Sequence, residues 1–161
     1  MDQIIRRCIF FRLLEFGTVM AEHTEGVGAL VYSKKTNRYL FLLRNKNRSA
    51  GQWGIVGGKI DDSETVIQAL VREINEEIGQ DFVKKKFIPL ETFTADDRKF
   101  VYYTFLVTVD DEFVPTLNKE HRGYCWVELD DHPKPLHPGL WRSFNFDIVK
   151  KKIKTLESIL N

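Results

Sequence analysis

Along most of the chain apolar residues recur at every second position, and in one stretch they recur at every third or fourth. "GVGALVYS" (26–33) and "RYLFLLR" (38–44) carry the short period of strands, and the polar "KKTN" between them reads as a turn. The GxG of Gly26 and Gly28 lies inside the first strand pattern and carries no weight as a dinucleotide fingerprint. A polar segment, "NKNRSAGQ", leads into "WGIVGGK" (53–59), which reads as a glycine-rich loop. Beyond it Ile67, Leu70, Val71, Ile74 and Ile78 keep helical spacing, with Thr65 and Gln68 in the form of a capping box and Gly79 placed to end the helix. "KFIPLETFTA" and "KFVYYTFLVTV" predict an antiparallel pair turned at Asp96-Asp97. The second has large residues on both alternating faces, as a strand covered on both sides requires. "GYCWVEL" predicts a further strand, "DDHPKPLHPG" a proline-rich loop, and "FDIVKKKIKTLESIL" a helix whose lysines form its solvated face. Strands with mixed connections and about two helices predict an α/β fold: a three-layer α/β/α sandwich around a mixed central sheet.

Composition narrows the picture without supplying a function. A chain of 161 residues suits one domain with a core that needs no staples. Its formal net charge of +1 gives no global reason to expect a nucleic-acid partner or an anionic membrane surface. Cys8 and Cys125 are too few for a disulfide framework, which points to a reducing, cytoplasmic setting. In "MDQIIRRCIFFRLLEFGTVM" two arginines precede an apolar run, but Arg12 and Glu15 interrupt it, no small-residue cleavage site follows, and it is too short to span a membrane. Residues 1–24 are read as an N-terminal extension that packs on the domain, and 25–161 as the domain itself, with Met20 an alternative start. The oligomeric state is not set by the sequence, and a homodimer stays open.

The helix after "WGIVGGK" holds the chemistry. Glu73, Glu76 and Glu77 crowd its last turns, where the helix dipole disfavours negative charge. Glu73 and Glu77 also form an i,i+4 like-charge pair, a cost of roughly 0.2–0.5 kcal/mol. At 100° per residue the three fall within about one third of the circumference, beside the apolar stripe. Hard divalent cations take such clusters of oxygen ligands, and Mg²⁺ binds through a few carboxylates together with substrate phosphates. A cation would remove the repulsion that the helix alone cannot.

Gly58, Glu64, Arg72, Glu73, Ile74, Glu76, Glu77 and Gly79 stand at the spacing of the Nudix hydrolase signature, which the chain resembles over the 23 residues 58–80. Every charged and glycine position matches. Gln80 departs at the final aliphatic position, and Val56 stands where many relatives carry proline, so packing after the helix and stiffness of the loop are the features in doubt. The resemblance implies a divalent-metal-dependent hydrolase, using Mg²⁺ or Mn²⁺, that cleaves a phosphoanhydride bond in a nucleoside diphosphate linked to another group. It also implies residue roles. Glu73, Glu76 and Glu77 hold metal, aided by a backbone carbonyl of the Gly57-Gly58 loop. Arg72 orients the carboxylates, and Glu64 supports loop and helix through a salt bridge.

"LNKEHRGYCWVEL" is similar to a pattern in some family members that act on dinucleoside polyphosphates or GDP-sugars. It offers Glu120 as general base or additional metal ligand, with His121 as second choice. Arg44, Lys46 and Arg48 precede the glycine loop, and Arg44 and Arg48, with Gly58, are read as substrate-binding positions. Phe93, Tyr103, Trp141 and Phe144 are able to stack on a base, but core packing is the simpler reading of each, as it is of Trp126. Ala95 stands where ADP-ribose hydrolases of the family often have proline, and no coenzyme A signature precedes the glycine loop. Nucleotide sugars, dinucleoside polyphosphates and nucleoside triphosphates remain open as substrates. The rival reading is a nonhydrolytic Nudix-like module that senses a nucleotide, although such modules typically lose the glutamates present here.

Overall fold

In a computed structural model, residues 23–160 are described. The expectation for the N-terminal extension lies outside them, apart from His23 and Thr24. Seven strands form one mixed sheet: β1 (Thr24–Ser33), β2 (Arg38–Arg44), β3 (Trp53–Gly54), β4 (Val56–Lys59), β5 (Phe87–Thr94), β6 (Phe100–Val109) and β7 (His121–Val127). Three helices accompany them, α1 (Val66–Ile78), α2 (Pro138–Asn145) and α3 (Asp147–Leu160). The sheet runs β3-β2-β1-β6-β5, with β4 also on β1 and β7 on β2. Among the described strands β1 and β6 pair in parallel and the other strand pairs are antiparallel.

Alternation along the strands sorts side chains into two cores, one on each face of the sheet. Val27, Ala29 and Val31 of β1 and Leu40 and Leu42 of β2 pack with Leu70, Ile74 and Ile78 of α1. Leu30 and Tyr32 of β1 and Tyr39 and Phe41 of β2 face the other way, onto Leu140 and Phe144 of α2 and Val149 and Ile153 of α3. Both faces are therefore covered, giving the expected three-layer sandwich around a mixed sheet. Leu70 and Ile74 are fully buried, each contributing about 1.5–3 kcal/mol of apolar transfer free energy.

Helix α1 begins as its sequence predicts. The Thr65 side chain accepts from the Gln68 N–H at 3.3 Å and the Gln68 side chain accepts from the Thr65 N–H at 2.9 Å, completing the capping box. Gly79 closes the helix in the left-handed region at φ 67°. The buried stripe differs from the expected one: Ile67 is exposed and Val71 is only half-buried and outside the core, whereas Val66 and Ala69 pack on it. That set continues through Leu70 and Ile74 to Ile78, and it takes in Glu77 as a buried member.

Two further segments differ from the sequence reading. "WGIVGGK" forms β3 and β4 rather than a loop, because β4 pairs antiparallel with β1 from Gly26↔Lys59 to Ala29↔Val56. The end of the proline-rich segment also turns helical. Pro138 opens α2, where its missing N–H costs nothing, and His137 caps it by accepting from the Gly139 N–H. The C-terminal region therefore holds two helices, hinged at Phe146.

Candidate active site

The strand β4 brings its glycines beneath the acidic turns of α1. Gly57 has φ 150°, and a Cβ there would stand 2.1 Å from the Val27 carbonyl oxygen, so only glycine fits. The same tight approach directs the Gly57 N–H to Oε2 of Glu77 at 2.9 Å. At Gly58 a Cβ would stand 2.3 Å from Oε1 of Glu73. Two adjacent glycines thus let two carboxylates of the helix lie directly against the backbone of the strand.

Arg72 fastens this arrangement. Its Nε and Nη2 donate to the two carboxylate oxygens of Glu64 at 2.7 and 2.9 Å, and Nη1 donates to Oε1 of Glu73 at 2.8 Å. Nη2 also donates to the Lys59 carbonyl at 3.0 Å, and Nη1 lies 3.5 Å from Oε2 of Glu76. One guanidinium therefore joins the turn before the helix, the end of β4 and the helix itself. The bidentate bond from Arg72 holds the Glu64 carboxyl below its ordinary value. Burial moves Glu73 the other way, against the opposing pull of Arg72.

Glu77 is the most unusual charge in the site, being only 3% exposed. Burial pushes its carboxyl up to about 8. The Gly57 N–H and Arg44 oppose the shift, while Glu73 and Glu120 reinforce it. Its other oxygen, Oε1, lies 3.9 Å from Nδ1 of His121, which has no hydrogen-bond partner among the described residues. Burial, with Arg44 adding to it, lowers His121 to about 4, so the imidazole is neutral at neutral pH and the contact is not an ion pair.

Glu120 lies exposed in the turn immediately before β7. Its N–H donates to Oδ1 of Asn118 at 2.9 Å, its carbonyl accepts from the Asn45 N–H at 2.7 Å, and its carboxylate lies 3.8 Å from Nζ of Lys46. The charge of Glu120 acts on Glu73, Glu77 and His121 alike, which puts it beside the acidic cluster. His121 is the first residue of β7 rather than part of the preceding loop. Arg44 stands opposite it across a bulge between β2 and β7, with a buried Nε that has no partner among the described residues. Arg48 is exposed on a short 3-10 turn and is not among the residues that line the cleft.

A cleft of about 530 Å³ lies along the second face of the sheet, and its lining includes Gly57 and Gly58, against which Glu77 and Glu73 lie. Arg44, Gly57, Gly58 and Lys59 form one end of its lining, and Glu91, Phe93, Arg142 and Ser143 belong to the other. Phe93 was expected in the core but lines this cleft, with the Arg142 guanidinium 4.1 Å from its ring centre. Trp141 is exposed, whereas Phe144 is core and Trp126 is half-buried, donating its Nε1–H to the Phe113 carbonyl at 3.0 Å. The sequence reading missed Glu91, His137 and Arg142. Nothing in the chain marks them, because their position depends on how β5 and α2 pack.

No three acidic, histidine or cysteine side chains converge as a closed metal cage among the described residues. The donors present nevertheless fit a hard divalent ion. A buried carboxylate with one uncommitted oxygen adjoins two more carboxylates and the Gly57-Gly58 backbone, and Mg²⁺ takes one or two carboxylates with waters and phosphate rather than an all-protein cage. Arg72 is the group that now neutralises Glu73 and Glu76.

A three-layer sandwich that sets an acidic helix end against a glycine-bearing strand has known counterparts. The NUDIX domain description matches residues 22–146, and the chain belongs to the Nudix hydrolase family. It is 30% identical over 130 residues to the dihydroneopterin triphosphate diphosphatase of Haemophilus influenzae, covering 71% of this chain and 80% of that one. It is 34% identical over 98 residues to the 8-oxo-dGTP diphosphatase of Proteus vulgaris, covering 61% of this chain and 84% of that one. The crystal structure of a MutT NUDIX hydrolase from Burkholderia pseudomallei superposes with a TM-score of 0.62 at 28% identity, over 75% of this chain and 95% of that one. Among the described residues, no helix is long and apolar enough to cross a membrane.

Proposed function

We propose that this protein is a divalent-metal-dependent pyrophosphohydrolase that cleaves a phosphoanhydride bond of a nucleoside triphosphate-type substrate. The observation that carries the reading is Glu77, a carboxylate held almost out of solvent against the Gly57 N–H, with Glu73 and Glu76 beside it. An isolated buried carboxylate is costly, and a bound cation is the partner that makes it favourable. Glu73, Glu76, Glu77 and the Gly57 carbonyl would hold Mg²⁺, with Mn²⁺ as a substitute. When bound, the ion supplies charge neutralisation at the phosphoryl oxygens and a lowered pKa for the attacking water.

The remaining tasks fall to side chains. Arg72 and Glu64 are positioning residues that fix the acidic edge of α1 to β4. Arg44, with its buried unpaired Nε in the lining of the cleft, binds substrate phosphate beside the Gly58 backbone. Glu120 takes the proton of the attacking water as general base. Triphosphates are favoured among the open substrate classes because similar proteins are named diphosphatases of dihydroneopterin triphosphate and 8-oxo-dGTP. The two-cysteine composition supports a cytoplasmic setting.

The test is turnover of a nucleoside triphosphate panel with Mg²⁺ or Mn²⁺, read by product chromatography. Nucleoside monophosphate and pyrophosphate are expected, chelator should abolish their formation, and ¹⁸O from water should appear in a phosphorus-containing product. Full turnover in metal-free buffer, or label on sugar alone, overturns the reading.

A further inference from the structure

We infer that Glu91 reads the edge of the substrate's ring system and selects a 2-amino-4-oxo heterocycle, the edge shared by guanine and pterins. The inference rests on the proposed hydrolase reading and names the substrate class of that site. It begins with a break in strand register. On β5, Ile88 opposes Leu106 and Phe93 opposes Tyr102, but the pairing shifts between Pro89 and Glu91, leaving Leu90 as an extra residue. Strict alternation would turn Glu91 away from Ile88 and Leu90. The bulge restores it to their side, so Leu90 enters the core while Glu91 and Phe93 line the cleft.

The bulge therefore places a carboxylate in the cleft, beside Phe93, Thr104, Arg142 and Ser143. Glu91 opposes Thr104, Thr104 pairs with Gly28, and Gly28 pairs with Gly57, so Glu91 and the glycine at the acidic cluster lie on one row across four strands. Three strand spacings separate them, about 14 Å, a reach suited to a nucleotide held by its phosphates at one end and its base at the other. Phe93 is the next residue on the same strand face. Its ring already carries the planar Arg142 guanidinium at 4.1 Å, a sandwich into which a flat heterocycle fits by displacing the arginine outward. A ring stacked on Phe93 presents its edge to Glu91.

The chemistry of Glu91 then sets the choice. The Ser143 hydroxyl donates to its Oε2, which orients the carboxylate from α2, and Oε1 has no hydrogen-bond partner among the described residues. An ionised carboxylate only accepts, so it pairs with an edge that offers adjacent N–H donors. The ring N–H and exocyclic amine of a 2-amino-4-oxo ring meet that requirement. Adenine and cytosine each place a ring acceptor beside their amine and would set a lone pair against the carboxylate.

The experiment combines metal-free binding with turnover. Calorimetry with GMP, dGMP, neopterin, AMP and CMP in chelator should show GMP, dGMP and neopterin binding at least tenfold more tightly than AMP or CMP. With Mg²⁺, GTP and dGTP should show the lower KM. Glu91→Gln keeps an acceptor for Ser143 and should melt like the wild type. It should raise KM for guanine substrates by roughly 10- to 100-fold, the worth of hydrogen bonds to a charged group, with kcat and ATP turnover little changed. Equal treatment of all bases by the wild-type protein overturns the inference even while hydrolysis stands, and so does discrimination only between ribose and deoxyribose. Guanine- and pterin-selective binding without any turnover sustains the inference and removes the hydrolase reading instead.

Discussion

The Gly57 main-chain N–H donates to Oε2 of Glu77 at 2.9 Å, and this single bond joins the strand to the helix at the centre of the site. It is the only hydrogen bond to that buried carboxylate among the described residues, so the group is under-compensated for its loss of water. Its carboxyl rises to about 8 from an ordinary 4.5. The native state therefore keeps a proton that the unfolded chain has released between about pH 4.5 and 8, and metal-free stability must fall as pH rises through that window. Glu77→Gln retains an acceptor for Gly57 but cannot ionise. In chelator the variant should match the wild type at pH 5, exceed it at pH 8, and show no stabilisation by Mg²⁺ comparable with the wild-type gain. Thermal unfolding at both pH values checks this, and a variant less stable than wild type at pH 8 contradicts it.

The cost of that acid was legible in the sequence, but its chief cause was not. Crowding of Glu73, Glu76 and Glu77 suggested like-charge repulsion along the helix, whereas burial is the larger cause at Glu77. Burial depends on Gly57 approaching Val27, a contact between strands 30 residues apart in the chain. The helix itself was readable to its caps because Thr65, Gln68 and Gly79 act locally. The exchange of Val66 for Ile67 on the packed face was not readable, since both are apolar and one turn of helix leaves the phase undetermined. Likewise "WGIVGGK" lacks the alternation of a strand, and its pairing comes from β1. The bulge that turns Glu91 into the cleft leaves no local mark at all.

Gly57 and Gly58 should separate fold from site. Gly57→Ala meets immovable backbone at Val27 and a left-handed-side φ, so it should lower thermal stability by at least about 1–3 kcal/mol and reduce the yield of folded protein. Gly58→Ala meets the movable carboxylate of Glu73. It should fold, with unfolding close to wild type, yet lose metal-dependent stabilisation because Glu73 is displaced. Equal thermal losses from the two substitutions would contradict the distinction.

Arg72→Lys tests whether the guanidinium fork matters beyond its charge. Lysine retains the positive charge but cannot hold both oxygens of Glu64 while reaching Glu73 and the Lys59 carbonyl. Metal affinity or turnover should fall by roughly 10- to 100-fold, as for partners that orient metal ligands, and Glu64→Gln should fall in the same range. The double variant should cost little more than either single one, because the two residues act through one bond pair. Additive losses in metal titrations would show that they act separately.

The last test assigns the proton. Glu120 is exposed in its turn and close enough to raise both Glu73 and Glu77, whereas His121 is buried with its Nδ1 3.9 Å from Glu77. Exposure lets Glu120 swing between Lys46 and the cluster, a freedom that the strand denies to His121. Glu120→Gln should therefore lower kcat by roughly 10²–10⁴ with KM and unfolding little changed, as removal of a general base does. Its alkaline activity should recover partly, since hydroxide in solution replaces the missing base. His121→Asn should act differently: it removes a neutral ring packed against Glu77, so metal affinity should shift before kcat does. Near-normal kcat in Glu120→Gln, together with a large kcat loss in His121→Asn, would transfer the proton to the histidine and return Glu120 to the solvated turn.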